Sequence, residues 1–257
     1  MMSRNYVKST CKPVERFETC QPVVSSDECA HGGYYYNVAK PGSLPTRVSR
    51  FQRRRMFAAF LQTMAPTADD DIADVGVASD RAHDHSNYFE AWYPYTKKIT
   101  AIGIEDASFL EKIHPGVKFV RASGLSLPFS NDSFDFAHSS AVIEHVGSFA
   151  NQTQLISELW RVARRGIFVT TPNRWFPIEV HTVLPFLHYL PPRHYRSLLK
   201  KIGLSYFGDE KNLNLMSKYT LSLAAANAGI PSFCIMSARL LGLASNLMLI
   251  AKKTVDA

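Results

Sequence analysis

Five short apolar runs separated by longer stretches constrain the fold most: DIADVG (71–76), ITAIGI (99–104), VKFVR (117–121), FDFAH (134–138) and GIFVTT (166–171). A strand that is apolar along its whole length must be covered on both faces. The intervening lengths suit crossovers, so the pattern predicts a parallel sheet between layers of helices. Between the fourth and fifth runs, Leu155, Leu159 and Val162 share one helical face, with Asn151 and Gln154 as the expected capping box. Near the end, FCIMSAR (233–239) and SNLMLIAKK (245–253) are too close together for a parallel crossover, so an antiparallel hairpin is expected to close the sheet. The expected fold class is α/β: a doubly wound, mostly parallel, seven-stranded Rossmann-like sheet. A C-terminal antiparallel hairpin, an N-terminal arm and helix, and an insertion between strands five and six complete it.

Residues 1–66 read as an arm and amphipathic helix, and 67–257 as the sheet domain with a substrate lid at 172–232. Pro13, Pro22, Pro41 and Pro45 make the arm irregular, and Tyr34, Tyr35 and Tyr36 could cover an apolar surface. Cys11, Cys20 and Cys29 recur near His31 with gaps much wider than the C-x-x-C pairs of zinc sites, so no metal is expected. From about Thr46 to Met64, the residues Val48, Phe51, Phe57, Phe60, Leu61 and Met64 form one face. Arg47, Arg50, Arg53, Arg54 and Arg55 are expected opposite, as a solvated face. These arginines carry part of a net charge of +7 and leave peripheral contact with an anionic membrane open. No nucleic-acid module is recognisable, so no nucleic-acid partner is expected. The longest uncharged stretch, Tyr219 to Ala238, is broken by Asn227, Gly229 and Pro231 and reads as buried elements, not a membrane span. No signal-peptide pattern opens the chain, and a cytoplasmic location is expected. The oligomeric state is left open.

In a doubly wound sheet, ligands settle outside the carboxyl ends of the parallel strands, where strand order reverses. The candidate cofactor residues are Asp74, Gly76, Val77 and Ala78 after the first run, Glu105 and Asp106 after the second, Ser123 and Gly124 after the third, and Ser139 after the fourth. Glu105 lies about thirty residues beyond Asp74, the length of a strand, helix and strand. Its carboxylate could accept hydrogen bonds from both hydroxyls of a ribose. The turn Gly76-Val77-Ala78-Ser79-Asp80 lacks the later glycines of a G-x-G-x-x-G fingerprint and carries acids, an unfavourable reception for pyrophosphate. S-adenosylmethionine has no phosphate, and its ammonium and sulfonium are attracted by carboxylates. That favours methyl transfer over dinucleotide redox chemistry.

Over about Asp71 to Asn173 the sequence resembles the class I S-adenosylmethionine-dependent methyltransferases of type 11. An acidic strand ending in Gly76 and the acid Glu105 are followed by Leu127-Pro128-Phe129, Ser133-Phe134-Asp135 and Glu144-His145-Val146, in the family's order. It looks closest to a bacterial subgroup with stretches like DVGVASD, NYFE, GIEDASFLE, SSAVIEHVG and TPNRWFPIEVHT. Members of that subgroup often look like modifiers of glycans or cell-surface polysaccharides. The resemblance implies S-adenosylmethionine as cofactor and a sugar-type acceptor. It departs from the family in the glycine-poor first turn and in Ser123, where an aspartate is common; Ser123 could still offer its hydroxyl to the adenine edge.

Methyl transfer from a sulfonium is an in-line displacement, in which the protein chiefly aligns the partners. A hydroxyl acceptor also needs a base. His145 is the first candidate and His181 the second, with Glu144 positioning a neighbour and Glu179 a weaker lid candidate. The segment Thr171 to Leu199, with Trp175, Phe176, Phe186, Tyr189 and Tyr195, is either a substrate lid or an aromatic subdomain packed on the sheet. The expected function is O-methylation of a small-molecule or glycan acceptor. The alternative is a catalytically silent binding or scaffold protein that keeps the fold.

Overall fold

The computed structural model describes residues 42–80 and 86–254. The cysteine- and tyrosine-bearing arm lies outside them. Each expected strand is present: β1 (Ile72–Val75), β2 (Ile99–Gly103), β3 (Lys118–Arg121), β4 (Phe134–Ser140), β5 (Ala163–Pro172), β6 (Cys234–Leu240) and β7 (Leu243–Lys252). They form one sheet in the order β3-β2-β1-β4-β5-β7-β6. The first five are parallel, and β7 runs antiparallel to both its neighbours. Leu241 and Gly242 join β6 to β7 with φ of 50° and 83°, the double positive φ that a two-residue turn needs to match strand twist.

Alternate side chains along the strands feed two cores. Val75, Ile167, Val169, Leu247 and Leu249 point to the side covered by α4 (Phe149–Val162) and α6 (Lys218–Asn227). Ile72, Phe136, Phe168, Met248 and Ile250 point to the other side, covered by α1 (Leu44–Met64), α2 (Tyr88–Trp92) and α3 (Phe109–Ile113). Burial on both faces explains why the strands read as unbroken apolar runs.

Three expectations are corrected. The cap of α4 is Ser148, whose side chain accepts from the Asn151 amide; Asn151 and Gln154 are both inside the helix. The buried stripe of α1 contains Thr46, Gln52, Met56, Phe57, Phe60 and Met64, while Phe51 is exposed. The stripe is rotated because Phe57 and Phe60 must meet α2 and β5, and Arg53 consequently turns inwards beside the Tyr88 ring. The insertion between β5 and β6 has its own small core of Tyr195, Leu199, Phe207 and Leu213, built around α5 (Pro192–Lys201). The expected lid end at residue 232 is too late: Leu221, Ala224, Ala225 and Ile230 belong to the main core.

α1 is integral to the sheet domain and not an appendage. Phe60 is fully buried, edge-on to Phe89, His138 and Phe168 at 5.2, 5.6 and 5.5 Å between ring centroids. Phe60→Ala should therefore cost about 3–5 kcal/mol in urea unfolding. A loss near zero would mean that the helix packs too weakly to belong to this core.

Candidate active site

Beyond β1 the chain turns sharply at Gly76, whose φ is 102°. A Cβ built there would stand 2.1 Å from Val142 Cγ2, so the turn requires glycine both for its conformation and for the approach of the segment after β4. The amides of Gly76 and Val77 both donate to the Ile102 carbonyl, at 2.7 and 3.1 Å. The next amide, Ala78, donates to Asn87 Oδ1 at 2.8 Å, and Asn87 Nδ2 returns a bond to the Ala78 carbonyl at 2.9 Å. Three consecutive N–H groups are thus consumed by the protein, which removes the donors that a phosphate-binding turn would offer. Farther along the turn, the Ser79 hydroxyl donates to the Glu105 carboxylate.

These residues form one side of a cavity of about 960 Å³ at the carboxyl edge of the parallel strands. That volume lies at the upper end of ordinary ligand sites. Gly76, Val77, Ala78, Glu105, Ser123 and Gly124 line it, as expected from the sequence. Asp80 of the same turn and Ser140 at the end of β4 also line it, as does Arg53, which was expected on a solvated face. Asp74, Asp106 and Ser139 do not. The Ser139 hydroxyl is turned under the site to donate to the Val75 carbonyl at 2.8 Å, and exposed Asp106 accepts from the Ser108 amide at 2.9 Å ahead of α3.

Asp74 is displaced from the cavity by strand alternation. It faces the side of Ile72, directly across from His138 on β4, with Oδ1 and Nδ1 2.5 Å apart. Tyr88 O–H is 3.1 Å from the other ring nitrogen, and Phe89 stacks on the imidazole with centroids 4.4 Å apart. Burial raises Asp74 to about 7 and lowers His138 to about 3. Burial raises Glu90 as well, and the adjacent Asp74 charge pushes it further. Neither oxygen of Glu90 meets a donor among the described residues. A retained proton resolves this: protonated Glu90 donates to Asp74, as two buried carboxyls sharing a proton do. The assignment that satisfies the rest has Tyr88 donating to Nε2 and neutral His138 donating from Nδ1 to Asp74.

The opposite side of the cavity contains the candidate catalytic residues. Glu144 and His145 lie in a short 3-10 turn, Ile143–His145, after β4; His181 comes from the insertion. The His145 and His181 rings meet edge-to-face, centroids 4.8 Å apart, and both line the cavity. Glu144 is fully buried behind them, with Oε2 accepting from Thr171 Oγ1 at 2.8 Å. His145 Nδ1 is 2.7 Å from the Asn212 carbonyl, and burial lowers its pKa to about 3. His181 Nδ1 is 2.6 Å from Glu179 Oε1. Burial alone would lower His181, but attraction to Glu179, their hydrogen bond and Glu144 raise it overall. Burial alone would raise Glu179, yet His181 and the bonds from His181 and Thr182 bring it down to about 2. Glu179 was a minor candidate in the sequence; here it is the acid that orients His181. Burial lowers Arg53, opposed by attraction to Tyr88, Asp80 and Glu144. Apolar Met56, Phe176, Ile178, Val180 and Val183 complete this half.

A methyltransferase-domain family model matches residues 84–170. The fold recurs in solved structures. The chain superposes on a S-adenosylmethionine-dependent methyltransferase of Thermotoga maritima with a TM-score of 0.53, at 16% identity over 82% of this chain and 92% of that one. A S-adenosylmethionine-dependent methyltransferase of Mesorhizobium loti gives 0.52, at 14% identity over 79% and 100%. The fold is that of the class I methyltransferases. Among sequence relatives, an uncharacterized methyltransferase of Mycobacterium avium is 52% identical over 74 residues, 28% of each chain. One of Mycobacterium tuberculosis is 42% identical over 78 residues, 30% of this chain and 29% of its own. The matches thus span less than a third of these relatives. Among the described residues, no helix is long and apolar enough to cross a membrane.

Two outcomes test this geometry. Gly76→Ala forces a side chain onto Val142 and a strained φ, and should lower the unfolding midpoint and abolish ligand binding together; an unchanged midpoint would contradict the close packing. The folded chain also keeps a proton between Asp74 and Glu90 that the unfolded chain releases near pH 4. This contribution is complete below the ordinary carboxylate range and declines as pH rises through the raised values. His138 acts oppositely, losing stability as pH falls below about 6.5, so the carboxyl effect is cleanest above that pH. Stability should fall as pH rises from about 6.5 through about 7, and Glu90→Gln should flatten the decline. Equal slopes in urea titrations of the two proteins would exclude the retained proton.

Proposed function

We propose that this protein is a S-adenosylmethionine-dependent methyltransferase that methylates oxygen on a small-molecule or glycan acceptor. The observation that carries the reading is a single cavity with two unlike halves. The Gly76 turn, Glu105, Ser123 and Gly124 line it from the segments after β1, β2 and β3, and His145, His181 and Arg53 line it from the 3-10 turn after β4, the insertion and α1.

The first half fits an adenosyl ligand. Glu105, at the end of β2, suits paired ribose hydroxyls. Gly124 approaches the core so closely that a Cβ would meet Leu155 Cδ1 at 2.7 Å, leaving a flat backbone wall for a base. The turn amides are spent on Ile102 and Asn87, which suits a ligand without phosphate. When bound, the cofactor supplies a methyl group on a positively charged sulfur. The protein's share is to hold the acceptor in line with it and keep water out. Met56, Phe176, Ile178 and Val180 serve the latter purpose from the cavity wall. The histidines stand on the acceptor side, within the same cavity, where a hydroxyl must surrender a proton as its oxygen attacks.

Calorimetric titration with S-adenosylmethionine and S-adenosylhomocysteine tests the reading. Both should bind at one site per chain, and Glu105→Ala should weaken both by at least about 100-fold, the loss of about two hydrogen bonds to a charged group at about 1.5–3 kcal/mol each. The urea midpoint should fall only slightly, because half-buried Glu105 loses the bond from Ser79 but leaves the core intact. Adenosyl binding that ignores the substitution would move the ribose site elsewhere, while binding without turnover on any hydroxylated acceptor would favour a silent scaffold.

A further inference from the structure

We propose that Glu144, His145 and His181 form a binding site for a divalent first-row transition-metal ion. One ligating atom from each lies within 4.8 Å of the other two. His181 Nε2 and Glu144 Oε1 are 3.9 Å apart, too far for a hydrogen bond, while typical nitrogen and oxygen distances to such an ion are about 2.0–2.2 Å.

Three features fit a cation better than a buried ion pair. Glu144 is fully buried, yet its Oε1 has no hydrogen-bond donor among the described residues, although Oε2 is held by Thr171. An oxygen in that state is a strong acceptor awaiting a partner. Each histidine also has its Nδ1 committed at the back: His181 to Glu179 at 2.6 Å, and His145 to the Asn212 carbonyl at 2.7 Å. Donation from Nδ1 fixes the tautomer that presents Nε2 as a ligand, and such backing groups commonly orient metal-bound imidazoles. Glu179 is itself held by the amides of His181 and Thr182 and by the Thr182 hydroxyl, so the backing is rigid. Finally, two imidazoles and one carboxylate leave coordination positions open, and both histidines face the cavity.

The role of the ion rests on the methyltransferase reading; its binding does not. A cation there lowers the pKa of a hydroxyl brought to it. The acceptor O–H bond breaks and its proton leaves to solvent, the oxygen forms a bond to the methyl carbon, and the carbon–sulfur bond breaks with its electron pair on sulfur. The histidines then act as ligands in place of bases. No such site was expected from the sequence, because His181 lies 36 positions beyond His145.

The test uses the full chain stripped with chelator and titrated with Co²⁺ alone, followed by visible absorption. We expect one Co²⁺ per chain, with ligand-field bands and no thiolate charge-transfer band, which sets this site apart from binding by cysteines. Glu144→Gln and His181→Asn should remove saturable binding, and Glu179→Gln should weaken it by roughly 10–100-fold. S-adenosylhomocysteine binding by each variant reports an intact fold. Absence of saturable binding by the wild type at millimolar Co²⁺, or affinity unchanged in a folded Glu144→Gln variant, would overturn the proposal. Wild-type protein that binds S-adenosylhomocysteine but not Co²⁺ defeats the metal site alone; the converse leaves the metal site standing and defeats the cofactor reading.

Discussion

At the middle of the sheet, β1 and β4 lie side by side, and the bond between Asp74 and His138 joins them through the core. The chain passes outward from β1 through β2 and β3, then returns to lay β4 against β1, so strand order reverses at this seam. The loops beyond it part in opposite directions and leave the crevice. A polar pair at such a place is costly unless each atom finds a partner. Tyr88, Phe89 and Glu90, from a helix of five residues, supply the hydroxyl, the stacking ring and the shared proton. α2 therefore closes the seam from below, and Asn87 immediately before it clamps the Gly76 turn from above. One short segment, 87–90, couples the core to the mouth of the site.

The insertion is fastened to the same seam from the other side. The Asn214 amide donates to the Glu144 carbonyl at 2.7 Å, and the Asn214 side chain to the Gly147 carbonyl at 2.8 Å. Gln152 of α4 bonds both Ile143 and Asn214 carbonyls. With His145 bonded to Asn212, residues 212–214 grip the 3-10 turn along its length. The insertion thus does more than roof the cavity: its backbone sets the orientation of His145, while its Glu179 sets that of His181. A small core of its own lets this segment hold side chains rigidly.

The fold was legible because doubly covered strands leave unbroken apolar runs, which Ile167, Phe168 and Val169 illustrate. The same uniform burial hid the direction of Asp74: all four residues of β1 are buried, and only alternation against Ile72 assigns its carboxylate to the lower core. Ser139 was misread for the same reason, as a strand-end polar residue whose hydroxyl is consumed by its neighbour strand. Glu105 was readable because position after a strand, not side-chain direction, brings it to the cavity. Arg53 was not, because amphipathic pattern alone counts a long cationic side chain as solvated; the choice is made by the space between α1 and Tyr88. The pairing of Glu144 with His181 depends on how the insertion folds back, which local spacing does not encode.

The glycine-poor first turn follows from the same economy of donors. A dinucleotide site keeps successive backbone N–H groups open and needs small residues so that a pyrophosphate can reach them. Here the amides of residues 76–78 face inward, to Ile102 and to Asn87, so the turn gains internal bonds and forgoes anion binding. Glycine is then required only at residue 76, where Val142 leaves no room for a side chain. Valine and alanine at the following positions cost nothing in a turn whose amides have no ligand to meet, and Val77 adds its side chain to the lower core. The departure from the fingerprint is therefore a change in what the turn's backbone binds: its own strand and helix neighbours in place of an anion.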